Sequence, residues 1–476
     1  MRESLRCNRF WCFALAVLVS LALSAAAQDG ARQQGMATSG APPAATARPT
    51  PDWVVPTHSI ERPEDAGLRA HTNIVFRSLD GTNKPTRVQS PQAAPVAPPS
   101  TVQYVESPSS LGCLYVKSPA TSGCVPNLSA NSGGPSAAGW GAIALVDAYD
   151  NPDAASDLAT FDSYWGLPAA SFVKVYANGN GDCTTPPPDA GWSTESSLDI
   201  EYAHMYAPNA VIILVEACSS FNTDLFYAEQ VAMDWVASYG GGQVSNSWGE
   251  GEFSGQTGYD ALFAGFDYGF YTQPIVTFVS AGDSGCGAAY PSSDPWVVSA
   301  GGSGIYRSST TGGFLNEQCW GGSGGGVSSQ ETYTTSFSGG NTGPWADYQY
   351  PIFAQSNRAT PDLSSNSDPN SGVYIYSLYG QGGWSCCWGG TSEASPSLAG
   401  IINRANNRLS TCFFNGVNNT CWFTNGENNL LYAQLPTKAA YKANFYDVVK
   451  GTNGCTVAKG WDYCTGVGTP RGLLGK

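Results

Sequence analysis

Short apolar runs alternate with helix-period segments along this chain between residues 142 and 280. Apolar residues that recur every three or four positions predict helices, and short runs rich in β-branched residues predict strands. Strands and helices in this alternating order favour an α/β fold, a doubly wound and mostly parallel sheet with helices on both faces. The predicted strands are residues 142–146, 172–176, 211–215, 243–247 and 275–280, and the predicted helices are residues 153–164, 194–206, 224–238 and 259–271.

Residues 1–27 have the features of a cleavable signal peptide. Arg2, Arg6 and Arg9 precede an apolar run over residues 10–23, and the alanines at 25–27 supply a small-residue cleavage site. An uncleaved anchor is the alternative, although the run is short and ends in a cleavage signal. We therefore expect a secreted protein, extracellular or periplasmic, without a stable membrane anchor.

Residues 28–104 differ in composition from the rest, being rich in Ala, Pro, Thr and Gln with little periodicity. This composition predicts a short pro-segment or linker that is largely irregular. The main domain is then predicted to span residues 105–476.

The cysteines agree with secretion. Of the 14 cysteines, two fall in the signal segment and the remaining 12 are even in number, as an oxidising compartment favours. Connectivity cannot be deduced from spacing alone, and no Cys-x-x-Cys pair or Cys/His cluster indicates zinc. Proximity makes three local bridges plausible: Cys113/Cys124, Cys412/Cys421 and Cys455/Cys464.

The charge balance limits the classes of molecule that this protein is expected to bind. With 22 Lys and Arg against 37 Asp and Glu, the formal net charge is −15. This excess of negative charge argues against nucleic acid or an anionic membrane as a partner. Because carboxylates lose their charge as the pH falls towards 4, self-repulsion is limited in acid.

A serine stands where a loop enters a predicted helix. Ser392 follows Gly389-Gly390-Thr391, and apolar residues recur at helical spacing from Leu398 to Leu409. Glycine permits close approach of a substrate, and the unpaired N–H groups of a helix start attract developing negative charge. Ser392 is therefore a candidate nucleophile, and a simple helix N-cap is the alternative.

A serine nucleophile needs a base, and the chain has only three histidines. His58 and His71 lie in the predicted pro-segment, which leaves His204. On the predicted helix 194–206, Glu195 and Asp199 are about 40° apart, whereas His204 is roughly 180° from Glu195. His204 is predicted to be structural. The paired carboxylates can share a proton and leave one oxygen available as a base, unless they are merely a solvated helix face.

Ligand sites in doubly wound sheets form beyond the carboxyl ends of the strands, where Asp147, Trp248 and Asp283 occur. Asp147 is a candidate member of a carboxylate network, with a turn or cap as the alternative. Trp248 either lines a subsite, bounds the carboxylate pair or packs in the core. Asp283 lies in Gly282-Asp283-Ser284-Gly285, which is similar to a chymotrypsin-type nucleophile site. We discount that interpretation because no histidine motif accompanies it.

Taken together, these residues resemble the sedolisins, or serine-carboxyl peptidases, from about Ser107 to the C-terminus. Each motif is weak alone, but all of them stand in the order found in that family. The motifs that carry the resemblance are Glu195-x-x-x-Asp199, Ser245-Asn246-Ser247-Trp248-Gly249, Ser280-Ala281-Gly282-Asp283-Ser284-Gly285, Tyr290-Pro291-Ser292-Ser293, Arg358-Ala359-Thr360-Pro361-Asp362-Leu363-Ser364 and Gly390-Thr391-Ser392-x-Ala394-x-Pro396.

The resemblance implies a subtilisin-like fold and serine-type endopeptidase activity in acid, and hence protein or peptide substrates. We expect the protein to be a monomer. It implies that Ser392 is the nucleophile, Glu195 the general base and Asp199 the residue that orients Glu195. Asp283 would donate a hydrogen bond to the oxyanion together with the Ser392 amide. A carboxyl group donates only while protonated, so we expect a pH optimum below about 5.5.

The resemblance also implies one structural Ca²⁺ site near the C-terminus. Calcium takes six or more oxygens, several of which backbone carbonyls can supply. The family usually has glycine where this chain has Ala458. The residues implied are the carboxylates of Asp447 and Asp462 and the carbonyls of Val448, Ala458 and Gly460.

Two other functions stay open at this point. One is a histidine-dependent, subtilisin-like peptidase, which would require His204 near Ser392. The other is an inactive, aromatic-rich secreted binding protein on the same scaffold, which the joint presence of the four catalytic residues argues against. The short pro-segment departs from the longer, folded propeptide of the family and makes self-processing by the usual route doubtful.

Overall fold

A central eight-stranded sheet organises the structure, which is a computed structural model. The strands follow the order β12 (Phe314–Cys319), β11 (Val298–Arg307), β9 (Ile275–Ser280), β7 (Gly242–Asn246), β4 (Ala142–Ala148), β6 (Val211–Ala217) and β5 (Ser171–Ala177), and β15 (Leu363–Asn366) pairs with β11. All neighbours are parallel except β12, which runs antiparallel to β11. The structure describes residues 52–91, 103–117, 123–126, 138–178, 183–264, 273–332, 349, 357–405, 412–414, 419–421 and 423–476.

The strands in this part of the chain are β1 (His71–Thr72), β2 (Val75–Phe76), β3 (Thr86–Arg87), β4 (Ala142–Ala148), β5 (Ser171–Ala177), β6 (Val211–Ala217), β7 (Gly242–Asn246), β8 (Trp248–Gly251), β9 (Ile275–Ser280), β10 (Ala289–Tyr290), β11 (Val298–Arg307), β12 (Phe314–Cys319), β13 (Gly326–Thr332), β14 (Asn357–Thr360), β15 (Leu363–Asn366), β16 (Val373–Ser377), β17 (Gly383–Gly389), β18 (Cys412–Phe414), β19 (Asn419–Cys421), β20 (Phe445–Tyr446) and β21 (Thr469–Pro470). The α-helices are α1 (Pro108–Tyr115), α2 (Ala154–Trp165), α3 (Ala190–Tyr206), α4 (Asn222–Ser238), α5 (Leu378–Gln381), α6 (Thr391–Ala405), α7 (Phe423–Tyr432) and α8 (Lys438–Asn444).

Helices cover both faces of the sheet, as the sequence predicts. Successive side chains of a strand point to opposite faces, so Ile143 and Leu145 of β4 enter one core while Ala144 and Val146 enter the other. The first core is shared with α2, α3 and α6, and the second is shared with α4. Burial on both faces explains why these strands are almost continuously apolar.

The five predicted strands and the first three predicted helices are confirmed to within a few residues. The helix predicted over residues 259–271 differs. Its described part contains only a 3-10 turn, Asp260–Leu262, and residues 265–271 lie outside the described residues. Tyr259 and Phe263 pack against Phe226, so the apolar spacing here reflects an aromatic cluster.

Four disulfides link the described residues. Cys113–Cys124 is confirmed, but the predicted Cys455/Cys464 bridge is wrong. Cys455 pairs with Cys286, and Cys464 pairs with Cys319. The fourth bridge joins Cys183 to Cys218. Bridges over 145 and 169 residues follow from the fold, which sequence proximity does not report. Cys412 and Cys421 are register partners in β18 and β19, and their side chains lie outside the described residues.

The described part of the predicted pro-segment, residues 52–91, is packed onto the main domain. Residues 51–476 form one compact unit, which includes this part. Ile74, Val75 and Phe76 are almost completely buried, and short strands and 3-10 turns alternate with irregular backbone around them. Residues 1–50, including the predicted signal peptide, lie outside the described residues. Within the described part of the chain, no helix has the length and apolar character needed to cross a membrane.

Candidate active site

Two elements bring three carboxyl groups together. The helix α3 carries Glu195 and Asp199 one turn apart, and Asp147 is the penultimate residue of β4. All three side chains are fully buried. Burial raises the pKa of Glu195 and Asp199, and the neighbouring Asp147 carboxyl raises it further. The predicted pair therefore does not lie on a solvated helix face, and Asp147 belongs to the same carboxylate network.

Ser392 is the second residue of α6, at the predicted junction of loop and helix. Gly390 has a φ of +101°, in the left-handed region that favours glycine. A Cβ at Gly390 would lie 2.1 Å from the carbonyl oxygen of Asn73 and 2.5 Å from Oδ2 of Asp283. Glycine is thus required here because a backbone carbonyl and a carboxyl oxygen approach the chain closely.

The Ser392 hydroxyl lies between a carbonyl and a carboxyl group. It donates to the carbonyl oxygen of Ser247 at 3.2 Å. Among the described residues, neither oxygen of Glu195 has a hydrogen bond of good geometry. The hydroxyls of Ser392 and Thr72 are nevertheless close enough to Glu195 to offset part of the rise in its pKa. A small rotation of the Ser392 side chain would direct its proton to Glu195.

Asp199 is held by a serine that the sequence-based prediction had not singled out. The hydroxyl of Ser247 donates to Oδ1 of Asp199 at 2.8 Å and also lies 3.3 Å from the carbonyl oxygen of Ser392. Ser247 follows β7, so the sheet fixes its position. Its occurrence in the Ser-Asn-Ser-Trp-Gly motif was the only signal in the sequence.

Asp283 lies on the other side of Ser392, beyond the carboxyl end of β9. Its Oδ1 accepts hydrogen bonds from the Thr391 amide at 2.8 Å and from the Thr391 hydroxyl at 2.9 Å. Its Oδ2 is buried without a hydrogen-bond partner in the described part of the chain. Burial raises the pKa of Asp283 to about 8, although the Thr391 donors oppose the shift. A protonated Oδ2 is a free donor next to Ser392.

The described histidines have no hydrogen bond to Ser392 or to the carboxyl groups around it. His204 is buried on α3, with Nε2 at 2.9 Å from the carbonyl oxygen of Pro168 and 3.4 Å from Asp162. These contacts fit the structural role predicted for it. His58, from the N-terminal segment, contacts the Thr72 hydroxyl through Nδ1 at 2.7 Å. Burial lowers the pKa of His58 to about 4, so the imidazole is neutral above that pH.

Trp248 packs in the core, which was one of its predicted alternatives. Its side chain is fully buried against Phe226 and Phe263, and Nε1 donates to the carbonyl oxygen of Val146 at 2.8 Å. Trp248 thus ties β8 to β4, the strand that carries Asp147.

The residues of the predicted calcium site gather in the C-terminal loops. The Tyr441 hydroxyl contacts Oδ1 of Asp447 at 3.1 Å and the carbonyl oxygen of Gly460 at 2.8 Å. Oδ1 of Asp462 accepts from the amides of Cys464 and Thr465 at 2.9 and 2.8 Å. The residues therefore fit a calcium ion in the chemistry of their donors, with two carboxylates and nearby carbonyls. The described residues hold no group of three or more His, Cys, Asp or Glu side chains suited to a metal, so backbone oxygens would have to complete any site.

The site therefore places a serine at a helix start beside buried carboxyl groups, at the carboxyl edge of a doubly wound parallel sheet. No protein-family model matches the chain. The chain is 28% identical to kumamolisin from Bacillus sp. (strain MN-32) over 357 residues, which cover 70% of this chain and 58% of kumamolisin. Its fold is similar to that of a Pseudomonas sedolisin (serine-carboxyl proteinase) complexed with two molecules of pseudo-iodotyrostatin. That structure has a TM-score of 0.58 at 22% identity and covers 78% of this chain and 96% of the other. The chain is thus similar in sequence to kumamolisin and in fold to a Pseudomonas sedolisin, and it spans less than two thirds of the length of kumamolisin.

Proposed function

We propose that this protein is a secreted serine-type endopeptidase that hydrolyses peptide bonds in acid through an acyl-enzyme on Ser392. The observation that carries the proposal is the position of Ser392 between two kinds of carboxyl group. Glu195 lies on one side as a base, and the unpartnered Oδ2 of Asp283 lies on the other as a donor. Protein and peptide substrates follow from this chemistry.

In the first step, Glu195 accepts the proton of the Ser392 hydroxyl as Oγ attacks the carbonyl carbon of the substrate. The negative charge on the substrate oxygen is stabilised by the Ser392 amide and by a protonated Asp283. The C–N bond then breaks, and Glu195 returns the proton to the leaving amine. Water hydrolyses the remaining ester, which releases the new carboxyl group and regenerates the Ser392 hydroxyl. Asp199 supports Glu195, and the Ser247 hydroxyl holds Asp199 in place.

The pH dependence follows from Asp283. An ionised Asp283 would repel the oxyanion, so activity is lost as the pH rises through its pKa. Residues of the N-terminal segment line the cleft beside Asp283, and burial raises the pKa of Asp283 to about 8. Once water reaches the cleft, desolvation weakens and the pKa falls towards the ordinary carboxyl range. We therefore expect a pH optimum below about 5.5 when the cleft beside Asp283 is open to water.

The test is hydrolysis of a denatured protein across pH 3–8 by wild type, Ser392→Ala and His204→Ala. We expect activity in acid for wild type, none for Ser392→Ala and an unchanged pH profile for His204→Ala. Equal activity in Ser392→Ala would refute the proposal. Loss of activity in His204→Ala alone, with an optimum near neutrality, would favour a histidine-dependent peptidase instead.

A structural calcium ion is part of the same proposal. Asp447 and Asp462 would supply carboxylate oxygens, and Val448, Ala458 and Gly460 would supply carbonyl oxygens. A metal that binds only the folded state stabilises it, so a chelator is expected to lower the melting temperature and added Ca²⁺ to restore it. Asp462→Asn, measured in parallel, should lose the response to calcium. If neither the chelator nor added Ca²⁺ changes the melting temperature of wild type, the proposed calcium site is wrong.

Secretion is supported by the four disulfides, because such bonds persist in oxidising compartments outside the cytoplasm. The predicted signal peptide points the same way. Detection of the protein in the medium or periplasm, starting after residue 27, would test both.

A further inference from the structure

Two adjacent cysteines on β17 interrupt the regular alternation of a strand. Successive side chains of a regular strand point to opposite faces, which keeps the side chains of neighbouring residues apart. Cys386 and Cys387 instead enter the same hydrophobic core, and both are almost completely buried. Their sulfur atoms are 2.6 Å apart, closer than the roughly 3.5–4 Å at which even non-bonded carbon atoms pack. The two side chains therefore share one face of β17 and meet at their sulfur atoms.

A β-bulge at Cys387 produces this arrangement. Two consecutive residues of β16, Val373 and Tyr374, face three residues of β17, so Cys387 is the extra residue. Cys387 has a φ of +69°, in the left-handed region where glycine is the common residue of such bulges. A cysteine at this position has a conformational cost that glycine would avoid, so we expect its side chain to provide a compensating interaction.

A bridge between adjacent residues needs an unusual backbone. Adjacent Cα atoms lie about 3.8 Å apart, whereas the Cα atoms of ordinary disulfides are about 4.4–6.8 Å apart. A regular strand cannot make up this difference, because its neighbouring side chains diverge. The left-handed conformation at Cys387 removes the obstacle by turning the second sulfur towards the first.

The other cysteines leave these two for each other. Eight of the twelve cysteines that follow the predicted signal peptide form the four bridges. Cys412 and Cys421 are register partners of each other. Among the cysteines whose side chains the structure describes, Cys386 and Cys387 are the two outside the four bridges.

We propose that Cys386 and Cys387 form a disulfide between adjacent residues when the protein matures in an oxidising compartment. The two thiols lose two protons and two electrons to a small disulfide oxidant such as oxidised glutathione, which is reduced to two thiols. The new bond closes a small ring around the peptide bond between the cysteines and fixes the bulge. Because β17 leads directly into α6, the bridge also stiffens the approach to Ser392.

Trypsin offers a direct test, because it cuts at the two arginines that delimit residues 359–404. This single peptide holds Cys386 and Cys387 and no other cysteine. The full-length Ser392→Ala protein is exported to a bacterial periplasm, denatured without reductant, blocked with N-ethylmaleimide and digested. A bridge between the two cysteines leaves the peptide unlabelled, unattached to any other peptide and two hydrogen atoms lighter than the dithiol form.

We expect that form before reduction and the doubly labelled peptide after it, while the control pair Cys113 and Cys124 is likewise labelled only after reduction. With Cys387→Ser added, Cys386 should take up one label without reduction. Two labels on residues 359–404 before reduction, with the control pair unlabelled, would overturn the inference. Attachment of this peptide to a second peptide would overturn it as well, since one of the cysteines would then have a distant partner.

A separate observation concerns Glu393, the residue after the candidate nucleophile. Its side chain is buried, and Oε2 accepts from Nδ2 of Asn366, at the end of β15, at 2.9 Å. Ser371 holds Asn366 in turn, because its hydroxyl donates to Oδ1 at 2.6 Å and its carbonyl oxygen accepts from Nδ2 at 2.8 Å. The Ser371 hydroxyl also accepts from the Ile305 amide of β11 at 3.0 Å. Glu393 thus ties the first turn of α6 to the central sheet.

We infer that Glu393 is a positioning residue for Ser392; this second inference rests on the proposed function. The two residues are neighbours on α6, so the contact to Asn366 fixes the helix start from which the Ser392 side chain projects. A displacement of about 1 Å at a reacting group can cost on the order of 10²-fold in rate. The contact needs only an acceptor oxygen, which glutamine also has.

The test compares Glu393→Leu, which removes the acceptor, with Glu393→Gln, which keeps one. On a peptide substrate, we expect kcat to fall about tenfold in Glu393→Leu with little change in KM, and to recover largely in Glu393→Gln. An active wild type with an unchanged kcat in Glu393→Leu overturns this inference and leaves the peptidase standing. Equal losses in the two variants also refute it, because the hydrogen bond would then not matter. An inactive wild type overturns the proposed function itself.

Discussion

Thr391 binds one oxygen of Asp283 through both its amide and its hydroxyl and leaves the other oxygen bare. The two contacts to Oδ1 are 2.8 and 2.9 Å long, while Oδ2 faces the Asn73 carbonyl across Gly390. Because the amide and the hydroxyl of Thr391 both donate to Oδ1, that oxygen acts as an acceptor, and the proton of a neutral Asp283 is expected on Oδ2. The residue before the candidate nucleophile therefore directs the proton of Asp283 towards the reacting oxygen.

Replacing Asp283 tests this arrangement. Asp283→Ala removes one oxyanion donor and is expected to lower kcat by about 10²–10³. Asp283→Asn keeps a donor that does not titrate, so its activity should persist at higher pH than that of wild type. The measurement is kcat on a peptide substrate from pH 3 to pH 8. If Asp283→Asn falls off at the same pH as wild type, the loss of activity is due to another group.

Ser247 is expected to act as a positioning residue. Ser247→Ala removes the hydroxyl that donates to Asp199 at 2.8 Å and should lower kcat about tenfold, with little change in KM. Ser245→Ala is the matched control, since it deletes a buried hydroxyl on β7, two residues before Ser247, that hydrogen bonds to the hydroxyl of Ser395. A steady-state comparison of wild type with both variants decides the point. Equal losses of kcat in the two variants would make Ser247 merely structural.

Folding stability should fall as the pH rises. Burial raises the pKa of Asp147 and of Asp283 to about 8, so the folded state binds protons that the unfolded state has released. This contribution is complete below about pH 4 and is lost as the pH rises through about 8. In Ser392→Ala, which cannot digest itself, the urea midpoint should be higher at pH 4.5 than at pH 8. Adding Asp147→Asn to Ser392→Ala should reduce the difference between the urea midpoints at the two pH values. If that difference does not change, Asp147 is not its cause.

Glu106 and Arg307 form a fully buried, two-pronged ion pair. Glu106→Ala leaves an uncompensated buried guanidinium and is expected to cost about 3–5 kcal/mol of unfolding free energy. The double variant Glu106→Met with Arg307→Met should recover much of that loss, because an apolar pair needs no compensating charge. Chemical denaturation of both proteins gives the two values. A double variant less stable than Glu106→Ala would contradict this account.

Much of the architecture could be predicted from local patterns. The strands that contain Val146 and Ile275 are almost continuously apolar because both of their faces are buried, and this signal is contained within a few residues. The spacing of Glu195 and Asp199 likewise predicts a shared helix face. The bridge from Cys464 to Cys319 could not be predicted, since 145 residues separate the two cysteines and only the fold brings them together.

Local patterns are enough to predict the order of strands and helices, the helical turn that carries both carboxylates and the Gly-Thr-Ser entry to α6, because each depends on residues close along the chain. The surroundings of these residues depend on the packing of distant elements. Asp147 is buried beside Glu195, Ser247 donates to Asp199, and the Asn73 carbonyl accepts from the Ser392 amide. Those contacts join residues more than 45 positions apart, and their energies depend on desolvation and geometry that arise only when the layers pack.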